Sequence, residues 1–267
     1  MLGELFQHRD LILQLLKRDV LERYRGSNLG LLWSFVYPVF MLLVYMFVFG
    51  IVFKMKWGVA PGQDSANADI PFGVIMFSGL VLHAFLGECL VRSSHLITGN
   101  QQYVKKIIFP LPVLSIVCVG AAFFHLLAGL LILLLFMLGA GVVPELTILY
   151  MPLVLLPLVL LLLGVSWLLS SLCVFIRDIA QLMSVLVTVL LFLAPIFYPL
   201  SVVPEQYQIW MYLNPLTAVV EQFRAVVLFG QQPDWQILGI YWLVAVTVLL
   251  LGYGFFRRTQ GAFADVV

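Results

Sequence analysis

The stretch RYRGSNLGLLWSFVYPVFMLLVYMFVFG, residues 23–50, decides the fold class of this chain. It opens with basic and polar side chains and then enters a run, from Gly26 to Phe53, that contains no charged residue. A hydrocarbon core about 30 Å thick is crossed by roughly 20 apolar residues in a helix. The stretch therefore predicts a first membrane-spanning helix that follows a basic approach.

The composition of the whole chain is that of an integral membrane protein. Of its 267 residues, 63% are hydrophobic and 10% are charged, which is more apolar surface than a soluble core of this size can bury. Spanning requires helices or a closed barrel, because unpaired backbone groups in lipid cost several kcal/mol each. The apolar runs do not alternate as barrel strands do. We therefore predict an all-α integral membrane protein with one transmembrane domain, residues 1–267.

Residues 1–25 predict an amphipathic helix that precedes the first span. Most of their apolar side chains fall in a sector of about 100° on a helical wheel, with most charged side chains outside it. Arg9 and Arg23 intrude on that sector. Such a helix lies along a membrane surface, with its basic groups near lipid phosphates or a cytosolic partner. An ordinary solvated helix packed on the body is the alternative.

Six apolar runs predict six transmembrane helices within a body of residues 29–256. They cover approximately residues 29–53, 71–90, 114–138, 149–175, 179–198 and 237–256. Between the last two runs, residues 200–233 hold two short apolar segments, divided by Asn214-Pro215. Apolar segments of roughly 10 to 14 residues are typical of re-entrant or interfacial pieces, so we predict two short re-entrant helices here.

The distribution of lysine and arginine predicts the orientation. Eleven of these residues fall on the side of the N-terminus and three in the opposite loops. Under the positive-inside rule, both termini lie in the cytoplasm, including the tail of residues 257–267. Gly26 and Gly30 lie where the chain must turn from the membrane plane toward its normal, and glycine tolerates the backbone angles of such a bend.

Motifs for catalysis and nucleotide binding are absent from the sequence. There is no G-x-x-x-x-G-K-[ST] phosphate loop, so we do not expect this chain to hydrolyse ATP. The four histidines show no metal-ligand spacing, and neither G-x-S-x-G nor H-E-x-x-H occurs. We therefore expect no enzyme activity, no metal and no cofactor in this chain.

The few remaining polar and thiol groups have simple interpretations. A formal net charge of +1 gives no global field that would attract nucleic acid. Cys89, Cys118 and Cys173 show no redox or metal spacing and are interpreted as buried small hydrophobes. Glu88 and Arg92 lie four residues apart near the cytosolic end of the second span and are a possible ion pair. A gating role is the alternative for this pair.

Aromatic residues make up 14% of the chain and are dense in the first span. Anchoring at the membrane interfaces and helix packing are their ordinary roles. The alternative is a conduit, because flat aromatic faces contact the apolar faces of sugar rings without tight hydrogen bonds. A long polymer could then slide past them.

Four stretches carry a resemblance that covers nearly the whole chain. They are LLKRDVLERYRGSNLGLLWSFVYP (15–38), KKIIFPLPVLS (105–115), FIRDIAQLMSVLVTVLLFLAPIFYPLSVVP (175–204) and YLNPLTAVVEQFRAVVLFG (212–230). In this order, with six spans, the chain resembles the transmembrane permease of type-2 ABC exporters for O-antigen, capsule and teichoic acid polysaccharides. The resemblance implies a multi-pass protein of the bacterial cytoplasmic (inner) membrane that exports a lipid-linked polysaccharide.

The resemblance also implies partners and site residues. The partners would be a second copy of the chain, as a homodimer, and two cytosolic ATPase subunits that bind ATP and Mg²⁺. The first and fifth spans would line the substrate channel, with the aromatic residues Trp33, Tyr37, Phe40, Tyr45, Phe192, Phe197 and Tyr198. Residues that receive the ATPase stroke would be Lys17, Arg18, Arg23, His95, Gly99, Asn100, Gln101, Tyr103, Lys105 and Lys106. An outer gate would contain Tyr207, Trp210, Asn214, Pro215, Glu221 and Arg224.

Two other functions stay open at this point. One is a drug, antibiotic or lipid exporter of the same superfamily. The other is an intramembrane transferase that modifies glycans or lipids. A transferase needs convergent histidine, aspartate or arginine groups in one pocket, which the sequence does not obviously offer. The basic loop after the second span could also face phospholipid rather than an ATPase.

Overall fold

The chain is built from helices and turns. A computed structural model describes residues 8–54, 57, 70–105 and 109–266. Within these ranges there is no β-strand, which confirms the predicted all-α class. The α-helices in chain order are α1 (Arg9–Glu22), α2 (Trp33–Tyr45), α3 (Phe72–Ser94), α4 (Gln101–Val104), α5 (Pro112–Gly139), α6 (Met151–Phe175), α7 (Asp178–Phe192), α8 (Glu205–Tyr212), α9 (Pro215–Val227), α10 (Trp235–Thr259) and α11 (Phe263–Val266).

Five helical segments among the described residues are long and apolar enough to cross a membrane. They are Gly30–Val52, Phe72–Ser94, Pro112–Gly139, Leu146–Phe175 and Trp235–Ala262. Helix α7 is apolar but has 15 residues, fewer than the roughly 20 that a bilayer requires. The count of six spans and the N-in, C-in orientation stay predictions.

The fifth predicted span ends earlier than its apolar sequence. The run continues to Tyr198, but α7 stops at Phe192 and a turn follows. Pro195 and Pro199 lie in that turn. Proline lacks an N–H donor and disfavours the helical conformation of the preceding residue, so it ends helices. The apolar run therefore predicted a longer helix than the structure contains.

The first apolar segment begins after a sharp bend. Gly26 and Gly30 have φ angles of +86° and +51°, in the region that glycine adopts without a Cβ clash. The bend expected between the N-terminal helix and the first span is therefore present. Beyond it, a 3-10 turn leads into α2, which contains Pro38, and α2 continues as a π-helix over Met46–Val52.

Helix α3 is the centre of the bundle. Of its most apolar 18-residue stretch, 72% of the residues are buried, whereas 6% are buried in the corresponding stretch of Gly30–Val52. It packs against α5, α6, α7 and α9. Small residues let these neighbours approach closely: a Cβ on Gly87 would lie 2.9 Å from Val187 Cγ1, and one on Gly79 would lie 3.0 Å from Arg224 Nη2. A polar residue on α3 can therefore be reached from several helices.

Helices α6 and α10 form the tightest contact between backbones. A Cβ on Gly252 would lie 2.1 Å from the carbonyl oxygen of Gly164, and a Cβ on Gly164 would lie 2.5 Å from that of Val248. No side chain fits at these separations. The pair is held by close backbone packing, the usual basis of helix association in membranes.

The predicted N-terminal and re-entrant helices are present as helices. Helix α1 packs on the N-terminal half of α5 through Leu15, which clusters with Val113 and Val117. The two short helices before the last span are α8 and α9, and the Asn214 side chain caps α9 by accepting from Leu216 N at 3.0 Å. Their depth in the membrane, and the extents of the interfacial and cytosolic parts, stay predictions.

Candidate functional site

An aromatic cavity lies between α2, α3 and α5. Its volume is about 630 Å³. Trp33, Tyr37 and Tyr45 of α2 line one wall, facing Phe77 and Phe85 of α3. The indole of Trp33 is also held by a 2.9 Å hydrogen bond to the Ser27 hydroxyl. Three of the predicted channel rings are therefore brought together around one cavity.

The other predicted channel rings lie elsewhere. Phe40 is 62% exposed and does not line the aromatic cavity. Phe192 and Phe197 form a second group, with ring centroids 5.9 Å apart, and the Tyr198 hydroxyl donates to the Phe192 carbonyl at 2.7 Å. This second group contacts the first apolar segment, Gly30–Val52, through Phe49, whose ring centroid is 6.3 Å from that of Phe197.

At one end of the aromatic cavity, three lining residues belong to a network of five charged or titratable side chains, here named the ionic cluster. They are Asp19, Arg23, Glu88, Arg92 and His125. Glu88 is the hub: its carboxylate lies 2.6 Å from Arg23, 3.2 Å from Arg92 and 3.0 Å from His125. Arg92 also contacts Asp19 at 2.6 Å. The Glu88–Arg92 pair is thus part of a larger network that ties α1 to α3 and α5.

Sequence reasoning missed Asp19, Tyr24 and His125 in this network. Tyr24 reaches His125 Nε2 at 3.2 Å. One signal was available: Asp19 and Arg23 lie four residues apart, as Glu88 and Arg92 do. Both pairs were predicted on the cytosolic side, so a contact between two such pairs could have been proposed. Nothing in the sequence pointed to His125, which lies within a long apolar run.

The residues predicted to receive the ATPase stroke are partly brought together. The Arg18 guanidinium donates to the Tyr103 hydroxyl at 2.9 Å, joining α1 to α4. This hydrogen bond raises the pKa of Arg18, so the side chain stays charged. Tyr103 is itself fixed by stacking on Phe109, with ring centroids 4.5 Å apart. The contact joins the N-terminal helix to the segment after the second span, and the resemblance had assigned residues of both to ATPase coupling.

The remaining residues of this set form an exposed surface around α4. The exposed residues of the set are Lys17, His95, Gly99, Gln101 and Lys105. Asn100 is half-buried and its amide donates to the Leu96 carbonyl at 2.8 Å. Lys106 lies outside the described residues. A partner could reach this surface without disturbing the core.

At the opposite end of α3, Arg224 connects three elements. The side chain is 1% exposed and donates to the carbonyl oxygens of Ile75, Pro195 and Ile196 and to the Ser78 hydroxyl. In this way α9 is fastened to α3 and to the turn after α7. The guanidinium also lies 4.4 Å from the centroid of the Trp57 ring, at the range of a cation–π contact.

The other predicted gate residues divide into exposed and buried groups. Tyr207 and Trp210 on α8 are 55% and 65% exposed. Asn214 is 4% exposed, and its amide donates to the Leu190 carbonyl at 2.9 Å. Pro215 is the first residue of α9, and Glu221 lines a pocket beside Arg224. Whether they move as a gate stays a prediction.

Metal ions in proteins are held by groups of histidine, cysteine and acidic side chains. Among the described residues, no group of three or more histidine, cysteine, aspartate or glutamate side chains could hold a metal ion. Cys89, Cys118 and Cys173 are free and buried. The ionic cluster holds acid, base and cation together, but its groups are paired with one another. The arrangement suits a connection between helices and a cavity wall.

The helical bundle matches a known family over most of its length. Residues 10–228 match the family model described as ABC-2 type transporter. The chain belongs to the ABC-2 type transporter family. It is thus a multi-pass membrane transporter chain, and the matched region contains the aromatic cavity and the ionic cluster.

Three relatives cover nearly the full length of this ABC-2 transporter chain. The O-antigen export system permease protein RfbA of Myxococcus xanthus is 27% identical over 99% of this chain and 98% of its own length. The protein of the same description from Klebsiella pneumoniae is 25% identical over 100% and 97%. The polysialic acid transport protein KpsM of Escherichia coli is 24% identical over 92% of both chains.

Proposed function

We propose that this chain is the transmembrane permease subunit of an ATP-driven exporter that moves a lipid-linked polysaccharide across the bacterial cytoplasmic membrane. The relatives described as O-antigen permeases and as a polysialic acid transport protein support this substrate class. The observation that carries the proposal is the aromatic cavity of about 630 Å³, with its ionic cluster at one end.

The aromatic wall suits a sliding polymer. Trp33, Tyr37 and Tyr45 offer ring faces that contact the apolar faces of sugars and form few directional bonds. Weak, repeated contacts allow a long chain to move, whereas a deep polar site would retain it. The phenol hydroxyls supply polar groups without charge.

The ionic cluster is placed to transmit a conformational change from a cytosolic partner to the transmembrane helices. Helix α1 is held to α3 by the Asp19–Arg92 and Arg23–Glu88 contacts and to α4 by Arg18 and Tyr103. A push on the surface around α4 would therefore reach the aromatic cavity through a few short, charged contacts. We assign that push to two copies of a separate ATPase subunit.

A homodimer completes the proposed exporter. One face of α2 and one face of α7 leave large apolar side chains exposed, among them Phe40, Leu43, Leu182 and Val189. Lipid and a second copy of the chain would cover these faces, and the export path would run where the two copies meet. Phe40 and Phe192 would then face that path from outside the aromatic cavity.

The test is export by ring-substituted variants. Changing Trp33, Tyr37 and Tyr45 together to Leu keeps the apolar character of α2 and removes the rings. We expect normal membrane insertion but at least about tenfold less surface polysaccharide, measured by immunoblot of whole cells. Phe47→Leu is the matched control, because Phe47 follows α2 and is 56% exposed without lining the cavity. Unchanged export by the triple variant would show that the rings only pack.

A second test concerns the coupling surface. Replacing residues 99–106 by a flexible polar linker should abolish export and leave the dimer folded, because the surface around α4 is lost. Size-exclusion chromatography of the complex reports assembly, and surface polysaccharide reports export. Retained export would contradict the coupling assignment. If deletion of the chain left polysaccharide export intact and raised drug sensitivity instead, the chain would be a drug exporter subunit.

A further inference from the structure

A polar pocket lies at the Phe72 end of α3, opposite the ionic cluster. Its volume is about 400 Å³, within the range of roughly 300 to 1,000 Å³ that small-molecule sites occupy. The lining includes Trp57, Ser201, Glu221, Gln222, Gln231 and Asp234. We call it the outer pocket, since it faces away from the cytosol in the proposed orientation. The helix rise of 1.5 Å per residue separates it from the ionic cluster by roughly 20–25 Å.

The backbone around the outer pocket is fixed by hydrogen bonds. The Gln222 side-chain oxygen accepts from Asp234 N at 2.7 Å, and the backbone N–H of Gln231 donates to the Ala225 carbonyl at 2.8 Å. Asp234 in turn caps α10 by accepting from Gln236 N at 2.9 Å. A pocket whose walls are already ordered loses little entropy when a ligand binds.

Trp57 provides a held aromatic wall. The Arg224 guanidinium lies 4.4 Å from its ring centroid, and the Phe72 ring lies 5.7 Å away. The donors of Arg224 are directed to backbone carbonyls and a hydroxyl, and the side chain is 1% exposed. Its donors are therefore already occupied within the protein and are not free to bind an anionic ligand.

Glu221 is the acidic group of the outer pocket that does not cap a helix, and the Arg224 charge on the same helix acts on it. Within the described part of the chain its carboxylate makes no hydrogen bond and no ion pair. An ionised carboxylate accepts hydrogen bonds only, so its natural partners are hydroxyl or ammonium donors. Asp234 adds a second acidic group, and Arg224 is the one cation among the described lining residues. The pocket therefore favours donors and disfavours phosphate or carboxylate groups.

A line of rings connects the outer pocket to the second aromatic group. Successive ring centroids are 5.7 Å apart for Trp57 and Phe72, 6.0 Å for Phe72 and Phe49, and 6.3 Å for Phe49 and Phe197. Under the proposed function, Phe197 lies beside the export path. A sugar chain that follows ring faces would meet the outer pocket as it leaves the membrane.

We propose that the outer pocket is a glycan subsite that binds a neutral or amino sugar residue of the emerging polysaccharide, with Glu221 accepting from its hydroxyl or ammonium groups. This inference rests on the proposed function and narrows its substrate class. Trp57 supplies the apolar ring face, and the exposed amide of Gln231 supplies both a donor and an acceptor. A polymer made of acidic sugars alone does not fit.

Site-directed photo-cross-linking in exporting cells tests the subsite. p-Benzoylphenylalanine replaces Gln231, an exposed pocket residue, in the full chain expressed with its ATPase subunit. The control places the same group at Val143, which is 76% exposed in the turn between α5 and α6. Irradiation should give a glycan-bearing adduct at residue 231 at least about fivefold stronger than at residue 143. Glu221→Gln should reduce that adduct by a similar factor.

The outcomes separate the subsite from the exporter. Loss of surface polysaccharide on deletion of the chain supports the proposed function whatever the adducts show. An exporting strain without a glycan adduct at residue 231, or with equal adducts at both positions, would overturn the subsite. A phospholipid adduct at residue 231 would also overturn it. So would a monosaccharide analysis in which the exported polymer contained acidic sugars only.

Discussion

Glu88→Gln should loosen α1 without altering the shape of the ionic cluster. Glutamine keeps an oxygen that can accept from Arg23 and an amide that can donate to His125, so the change removes charge and little volume. The contact that ties α1 to Glu88 is the 2.6 Å bond from Arg23. Arg92 keeps its own bond to Asp19. The variant therefore removes the charge from the Glu88 contacts and leaves the second tie of α1, between Asp19 and Arg92, in place.

The expected magnitude follows from the exposure of the two partners. The side chain of Glu88 is 15% exposed and that of Arg23 is 51% exposed. A hydrogen bond to a charged group contributes about 1.5–3 kcal/mol, and the exposure of Arg23 reduces this to about 1–2 kcal/mol through solvent screening. Since 1.4 kcal/mol is a factor of ten, local opening of α1 should become about 5- to 30-fold more frequent.

Hydrogen exchange in lipid nanodiscs measures this opening. The amides of Arg9–Glu22 should lose protection by that factor, while the amides of α6 should keep theirs. Asp10→Asn is the matched control on the same helix, because Asp10 is 82% exposed and pairs only loosely with Arg9, at 3.7 Å. Protection of α1 within twofold of the wild type in Glu88→Gln, or an equal loss in Asp10→Asn, would refute the reasoning.

Three further changes address other contacts. Gly252→Val should destabilise the bundle strongly in thermal unfolding, since a Cβ would lie 2.1 Å from a carbonyl oxygen of α6, whereas Gly239→Val in open space on the same helix should not. Arg224→Met should cost about 2–6 kcal/mol, because two carbonyls of the turn after α7 lose a buried donor. An unfolding temperature of Arg224→Met within 1 °C of the wild-type value would contradict that role. A double-mutant cycle of Arg18→Met and Tyr103→Phe should give a coupling of about 0.5–1.5 kcal/mol. A coupling of zero would show that this hydrogen bond does not link α1 to α4 energetically.

The long spans were predictable because their cause is local. A run of apolar residues long enough to cross a bilayer is helical for reasons that each residue carries with it, since unpaired backbone groups are costly in lipid. The bend at Gly26 and the division of the short helices at Asn214 also follow from local rules for glycine and for helix capping. The prediction that the fifth span continues to Tyr198 was wrong, although Pro195 is a local signal that the helix ends earlier.

The partners of the polar residues were decided by the tertiary structure. From the sequence alone, Glu88 and Arg92 are one pair on one helix. Packing brings α1 and α5 to the same end of α3, so the pair acquires Asp19, Arg23 and His125. In the same way, Arg224 donates to the carbonyl of Ile75, more than a hundred residues earlier in the chain. Composition and periodicity report which residues are apolar, whereas the identity of a charged residue's partner depends on which helices pack together.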